Sequence, residues 1–227
     1  MNFREVDRKL CLIRDSRLAQ VLDPEQKTQA DAVLFCGYID HTRGLTYQVL
    51  GLVCCKGNDY ALVSDAQVAG LKVRADAVDE ERVRPIENKA LEELLRDRID
   101  KLSVYYANKD VVAIRAMEEI DPFRHPQYPD DMCAIFLMPV HRLEQMWVRA
   151  EMAARTGDGT LLIGGILLNE PDNVPDLHMG AVVTLTVIET KCGRPCVGVP
   201  GMVVNYRRVK CGAGLQIILF CNKSIID

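Results

Sequence analysis

The sequence predicts an α+β protein built of antiparallel sheets, with two amphipathic helices between an N-terminal β-rich half and a C-terminal barrel-like β module. Short apolar runs bounded by Gly, Asn, Asp and Pro recur in both halves, as is typical of strands and turns. Leucines recur at helical spacing between residues 87 and 106. The run Met146–Met152 is followed by a Gly-Asp-Gly turn and a second run, Leu161–Leu168, which indicates a β-hairpin.

Composition places the chain among ordinary globular proteins. Of its 227 residues, 48% are hydrophobic and 26% are charged, which disfavours disorder over most of the length. The net charge is −4 and the signs are interspersed, without the basic stripe that a nucleic-acid partner favours. The first residues are charged, and Leu161–Leu168 is far shorter than the roughly 20 residues of a membrane helix. We therefore expect a cytoplasmic protein with no nucleic-acid partner and no membrane association.

Region 1–84 is expected to be rich in strands. Asp23 and Pro24 fit the N-cap and first position of a short helix. The charged segment Asp76–Arg84 ends before a proline and indicates a surface connection. The run at residues 46–55 is almost entirely apolar, which predicts a strand covered on both faces. The expected strands are Lys9–Ile13, Val33–Ile39, Thr46–Cys55 and Tyr60–Ser64.

Region 85–120 is expected to form two helices. The first covers Glu87–Tyr106, where apolar residues recur on one face and charged residues fill the other. The second follows Asn108-Lys109-Asp110. We expect it to end at Asp121-Pro122, because the residue before a proline resists the α conformation.

Region 121–227 is expected to form the C-terminal β module. Its proline-rich start, Asp121–Asp131, predicts an ordered loop. Gly164-Gly165 interrupts one strand and predicts a β-bulge or a close approach of two backbones. The tail from Lys191 is rich in Gly and Pro, and a closing hairpin is expected through Gly212-Ala-Gly214. The strands expected besides the hairpin are Met132–Met138, Val182–Ile188 and two in the tail.

Alternation along the first hairpin strand divides its side chains between two faces. Met146, Val148, Ala150 and Met152 are expected on one face, with Trp147, Arg149 and Glu151 on the other. Two interpretations of the lone tryptophan stay open. A helix or the tail covers it, as is usual for tryptophan, or it belongs to a contact surface for a protein partner.

Three short segments carry a resemblance to a known family. Glu144-Gln-Met-Trp147-Val, Gly165-Ile-Leu-Leu-Asn169-Glu170-Pro171 and Leu177-His-Met-Gly180-Ala-Val-Val resemble, in order and spacing, the YegJ-like family of uncharacterised bacterial proteins. The resemblance covers about residues 144–188. Ala181 stands where the family usually has Asp, and the Asp-Trp that often closes its motif is missing after residue 188.

The resemblance implies a bacterial cytoplasmic protein and a compact α+β or barrel-like module. It implies no catalytic residue. Related families include proteins proposed as immunity factors against toxins, which is an analogy at the level of the fold.

Candidate sites each have a structural alternative. His125 beside Asp130 and Asp131 could be a general base or a metal ligand, or these side chains could cap turns. Asn169-Glu170 could bind a ligand at a strand end, or form a turn.

The chain has nine cysteines, of which several lie in apolar runs and are expected to be small buried hydrophobes. Cys192, Cys196 and Cys211 are weak zinc candidates, with His178 or Cys221 as a further ligand. Structural zinc sites usually contain duplicated, tightly spaced pairs.

Two functions are carried forward. The first is a non-catalytic protein-binding module, for which the analogy suggests an immunity-like protein. Its binding candidates are Trp147, Arg149, Asn169 and Glu170. The second is a metal-binding or hydrolytic enzyme that uses His125 and Asp131 or the cysteine cluster. Local signatures of common enzyme classes are missing from the sequence. No cofactor is predicted, and the sequence determines neither enzymatic activity nor oligomeric state.

Overall fold

Two β assemblies organise the chain in the computed structural model, which describes residues 2–24, 29–57, 59–64, 69–138, 142–172, 177–188, 196–199, 205–211 and 214–220. One compact unit comprises Met1–Ala107 and Pro126–Pro129, and the other comprises Asn108–His125 and Asp130–Asp227. Helices and largely antiparallel strands are both present, which confirms the α+β class. The division into regions 1–84, 85–120 and 121–227 as separate domains stays a prediction.

The first unit is built on an antiparallel sheet that has six strands in the described part of the chain. The strands follow the order β4-β3-β2-β1-β6, and β5 also pairs with β3. The central pair, β2 and β3, is buried along most of its length, which confirms the expected cover on both faces. The strands are β1 (Leu10–Ile13), β2 (Ala32–Asp40), β3 (Gly44–Lys56), β4 (Asp59–Ser64), β5 (Lys72–Arg74) and β6 (Val83–Pro85).

Each face of this sheet carries its own hydrophobic cluster. Helix α1 (Ser16–Leu22) packs on one cluster through Ala19. The other face is covered by α2 (Lys89–Leu94), α3 (Arg96–Asp100) and a 3₁₀ segment, Lys101–Tyr106. The helix predicted for residues 87–106 is thus confirmed in position, but it is broken into three pieces.

Two expectations in the first unit change. Asp23, predicted to begin a helix, is the residue at which α1 ends, and residues 25–28 lie outside the described residues. The N-cap of α1 is Asp15, whose carboxylate accepts from the backbone N–H groups of Arg17 and Leu18. The connection predicted for Asp76–Arg84 ends in β6, which pairs with β1.

The second unit contains a closed barrel. Its strand order is β10-β11-β7-β8-β9, and only the β11–β7 pair is parallel among those described. The strands are β7 (Asp131–Met138), β8 (Arg142–Arg155), β9 (Leu161–Leu167), β10 (Val182–Val187) and β11 (Cys196–Val199). This confirms the predicted barrel-like module and the Trp147 hairpin. A separate antiparallel pair, β12 (Asn205–Cys211) and β13 (Gly214–Phe220), confirms the closing hairpin.

The second predicted helix is shorter than expected. Helix α4 spans Lys109–Arg115 and is capped by Asn108. Met117 then takes an extended conformation, and a 3₁₀ segment, Glu118–Phe123, contains Pro122. The predicted end at Asp121-Pro122 is therefore wrong for the α-helix, because the chain has already left the α conformation. No helix within the described ranges is both long and apolar enough to cross a membrane.

A β-bulge divides β8. Ala150 pairs with Gly165 and Met152 pairs with Gly164, so Glu151 has no opposite residue. Beyond the bulge the faces exchange: Ala153 packs on the barrel core, while Met152 lies over Gly164. The prediction that Met152 shares the face of Met146 is therefore wrong. The predicted irregularity at Gly164-Gly165 is confirmed.

Candidate functional site

The outer surface of the barrel brings together residues from four neighbouring strands. Met146 and Val148 are fully buried in the core, so the alternate residues of β8 face outward. The register places Asp131, Arg149, Ile166 and Val182 side by side across β7, β8, β9 and β10. We call this surface the Trp147 face, comprising Asp131, Cys133, Trp147, Arg149, Ile166 and Val182.

Part of the Trp147 face is apolar and open to solvent. Ile166 is 36% exposed and Val182 is 59% exposed, and these two residues are cross-strand partners. Met179, 63% exposed, lies in the turn immediately before β10. Apolar side chains that are exposed singly are common, but adjacent ones on a sheet indicate a contact surface.

Trp147 itself is half-buried, and His125 supplies part of its cover. The two rings meet edge to face, with centroids 5.1 Å apart and an interplanar angle of 66°. The His125 backbone N–H donates to the carbonyl of Asp131 at 2.8 Å, which holds the middle of the proline-rich segment against the start of β7. Trp147 is thus partly covered by a loop residue, in place of the helix or tail expected, and partly accessible.

Both carboxylates that the sequence placed beside His125 are bound by arginines. Asp131 accepts from Arg149 Nε at 2.8 Å and from Nη2 at 3.1 Å, and Asp130 accepts two bonds from Arg115. Burial lowers the pKa of Arg149, but its bonds to Asp131 and the nearby acidic charges outweigh burial and raise the pKa overall. The two carboxylates thus serve as anion partners of fixed cations, which favours a structural role for this segment.

The Asn169-Glu170-Pro171 corner is tied to β8 by side chains. Asn169 Oδ1 accepts from the Trp147 backbone N–H at 2.8 Å, and Leu168 N–H donates to the Trp147 carbonyl at 2.9 Å. The side-chain oxygen of Asn169 therefore takes the place of the next backbone acceptor that a continued β8–β9 pairing would supply. Glu144 Oε1 accepts from the Asp172 N–H at 2.8 Å and holds the far side of the corner. The predicted turn is confirmed.

Glu170 closes the loop that follows the corner. Its carboxylate lies 2.6 Å from His178 Nδ1 and accepts from the Met179 N–H at 2.8 Å. The bond with His178, followed by the one from Met179, lowers the pKa of Glu170. Asn169 and Glu170 thus both shape the border of the Trp147 face.

We expect Asn169→Ala to lower the free energy of unfolding by about 1–2 kcal/mol, because a part-buried N–H of Trp147 then loses its acceptor. Asn169→Asp keeps an oxygen acceptor at this position and is the matched control, with a smaller expected loss. Urea denaturation followed by Trp147 fluorescence measures both variants. Equal losses for the two would show that the hydrogen bond does not account for the effect.

The described cysteines are free: Cys11 and Cys36 are buried as expected, whereas Cys54, Cys55 and Cys133 are only half-buried, so the expected burial is wrong for these three. Cys11 and Cys36 are buried, and burial raises the pKa of each thiol to about 12, so both behave as the predicted small hydrophobes. Cys192 lies outside the described residues, as do the side chains of Cys196 and Cys211. The zinc candidates therefore stay a prediction. Among the residues that are described, no group of three or more potential metal ligands occurs.

Sequence reasoning missed three contributors to this region. Glu144 lies in the first family-like segment but was not singled out, and Ile166 and Val182 lie within predicted strands. Alternation along each strand could have placed Ile166 and Val182 outward. Their contact depends on the register between β9 and β10.

No family model matches this chain, and neither does any curated protein or solved structure.

Proposed function

We propose that this chain is a non-catalytic protein-binding module whose partner contacts the Trp147 face. One observation carries the proposal: exposed Ile166 and Val182 lie next to each other on the outer wall of a closed barrel, in the same row as Arg149. Interface centres are enriched in Trp, Met and Arg, and all three residue types occur in or beside this row.

The supporting strands make this surface well suited to recognition. A closed barrel holds its outward residues in fixed positions, so little conformational entropy is lost when a partner binds. The Arg149–Asp131 fork fixes one long side chain of the row, and His125 packs against the Trp147 ring. The partner that fits is a protein with an apolar centre that covers Ile166, Val182 and Met179.

The resemblance of residues 144–188 to YegJ-like proteins extends the proposal to a bacterial cytoplasmic protein. By analogy with the related families, the partner would be a toxin that the module neutralises. This analogy concerns only which protein the partner is. The choice of the Trp147 face as the binding surface does not depend on it.

The experiment compares partner capture by three variants. Trp147→Ala and Val182→Glu alter the Trp147 face, and Val21→Glu is the matched control because Val21 is 74% exposed on α1 of the other unit. Proteins retained by the wild-type chain from the source cells are identified by mass spectrometry, and each is purified for affinity measurement. We expect Trp147→Ala and Val182→Glu to weaken binding about tenfold or more, and Val21→Glu to leave it unchanged.

Circular dichroism checks that each variant is folded. Val182→Glu is the more decisive variant, because an exposed position tolerates the charge while an apolar interface does not. A partner that binds all three variants with the wild-type affinity contacts another surface, and this result would reject the proposal.

A further inference from the structure

A group of cationic and phenolic side chains lies at one edge of the sheet in the first unit. Tyr38, Thr46 and Arg74 are cross-strand neighbours on β2, β3 and β5. Lys72 lies on β5, two residues before Arg74 and therefore on the same face. Tyr105, from the 3₁₀ segment over this face, packs on Tyr38 with ring centroids 4.4 Å apart. We call this group, Tyr38, Thr46, Lys72, Arg74 and Tyr105, the Arg74 cluster.

The two cations of the Arg74 cluster are held by neutral groups. Arg74 Nη1 donates to the Thr46 hydroxyl, which itself donates to the Gly44 carbonyl at 3.1 Å. Lys72 Nζ donates to the Tyr105 hydroxyl at 2.7 Å. Within the described residues, neither cation has a carboxylate at salt-bridge distance. Arg74 uses one of its five N–H donors in this bond, and its position is fixed by the Thr46 hydroxyl.

The charged groups that act on Tyr38 and Tyr105 are Lys72, Arg74 and Asp40. Asp40 Oδ1 accepts three bonds from within its own turn, from Thr42 N, Thr42 Oγ1 and Arg43 N. The bond from Lys72 lowers the pKa of Tyr105, as a positive environment does. The two cations, Lys72 and Arg74, are therefore accompanied by one carboxylate, whose Oδ1 already accepts hydrogen bonds from groups of its own turn.

Beneath these cations lies the hydroxyl of Tyr38. It is buried and makes no hydrogen bond of good geometry within the described residues, and burial, followed by the adjacent Tyr105 hydroxyl, raises the pKa of Tyr38. A buried hydroxyl that makes no bond is costly, so such groups call for an explanation. Tyr105 covers Tyr38, and its bond to Lys72 is at the surface, so a ligand reaches the Tyr38 hydroxyl when the Tyr105 side chain turns away from it.

We propose that the Arg74 cluster is a binding site for an oxyanion group, a carboxylate or a phosphate, which accepts from Arg74, Lys72 and the Tyr38 hydroxyl. The planar fork of arginine suits these two groups, because two parallel N–H bonds match two oxygens. Lysine adds a point charge, and the tyrosine hydroxyl adds a third donor. This site belongs to the first unit and does not depend on the protein-binding proposal for the barrel.

The test titrates the full chain with inorganic phosphate and, separately, with acetate, and follows binding by calorimetry. We expect saturable binding of at least one anion, and the tighter one identifies the ligand class. Arg74→Gln should weaken that binding about tenfold or more, since bonds to charged groups are the strong ones. Arg17→Gln is the control: it removes one exposed positive charge on α1, which packs on the opposite face of the sheet.

Tyr38→Phe keeps the proposal testable if Arg74→Gln fails to fold. The hydroxyl makes no bond of good geometry in the protein alone, so its removal should leave the melting temperature unchanged or raised while it weakens anion binding severalfold. A purely structural hydroxyl would change the melting temperature alone. Absence of saturable binding to the wild-type chain, or equal affinity in Tyr38→Phe and the wild type, overturns the proposal.

Discussion

Asp130→Ala is expected to lower the free energy of unfolding by about 3–5 kcal/mol, because it leaves a buried guanidinium without its anion. The Asp130 side chain is 3% exposed and that of Arg115 is 5% exposed. Arg115 Nε donates to Oδ1 at 2.8 Å and Nη2 donates to Oδ2 at 2.6 Å, so the pair is a two-bond fork. The pair also joins α4 to the start of the barrel, since Asp130 immediately precedes β7.

Urea denaturation of the purified chain, followed by circular dichroism, measures this loss. Glu119→Ala is the matched control, because Glu119 pairs with Arg155 at the surface of the same unit and should cost at most about 1 kcal/mol. The double variant Arg115→Met with Asp130→Leu should recover a large part of the loss, because it removes both charges together. A loss at Asp130 no larger than that at Glu119 would mean that the buried pair is not the cause.

The Asp130 pair also shows where sequence reasoning fails. Asp130 and Asp131 were grouped with His125 as a candidate site because the three are close in sequence, with turn capping as the alternative. The partners of the two carboxylates, Arg115 and Arg149, lie 15 and 18 residues away along the chain. A local signal for Arg115 existed: it lies one turn after buried Val111 on the same stripe of α4. An arginine in an apolar stripe requires a buried anion, which the helical pattern alone does not identify.

Strands were more predictable than the surface they form. Alternation placed Trp147 and Arg149 outward, and the structure confirms this. The neighbours of these residues were not predictable, because the register between strands depends on the bulge at Glu151. Strand β11 was missed because glycine and proline dominate its surroundings. Its glycine is required by packing: a Cβ at Gly198 would lie 2.1 Å from Phe136 Cζ.

The second large effect on stability is expected at Gly165, which lies opposite the β-bulge of β8. Gly165→Ala is expected to lower the free energy of unfolding by about 2–3 kcal/mol, through overpacking in the barrel wall. A Cβ at Gly165 would lie 2.4 Å from the backbone oxygen of Arg149 and 2.6 Å from Val148 Cγ1. A flexible side chain could turn away, but the Arg149 oxygen belongs to the backbone of β8. The strand must therefore move, and Arg149 moves with it.

Gly157→Ala in the hairpin turn is the matched control, because a Cβ there meets no atom within 4 Å. The same chemical change should alter its stability by no more than about 1 kcal/mol. Urea denaturation compares the two variants, and similar values would show that the close approach is relaxed in solution. Because the displaced strand carries Trp147 and Arg149, Gly165→Ala should also weaken partner binding while Gly157→Ala leaves it intact. The glycine that permits the bulge would then be required for both the barrel wall and the binding surface on its outer side.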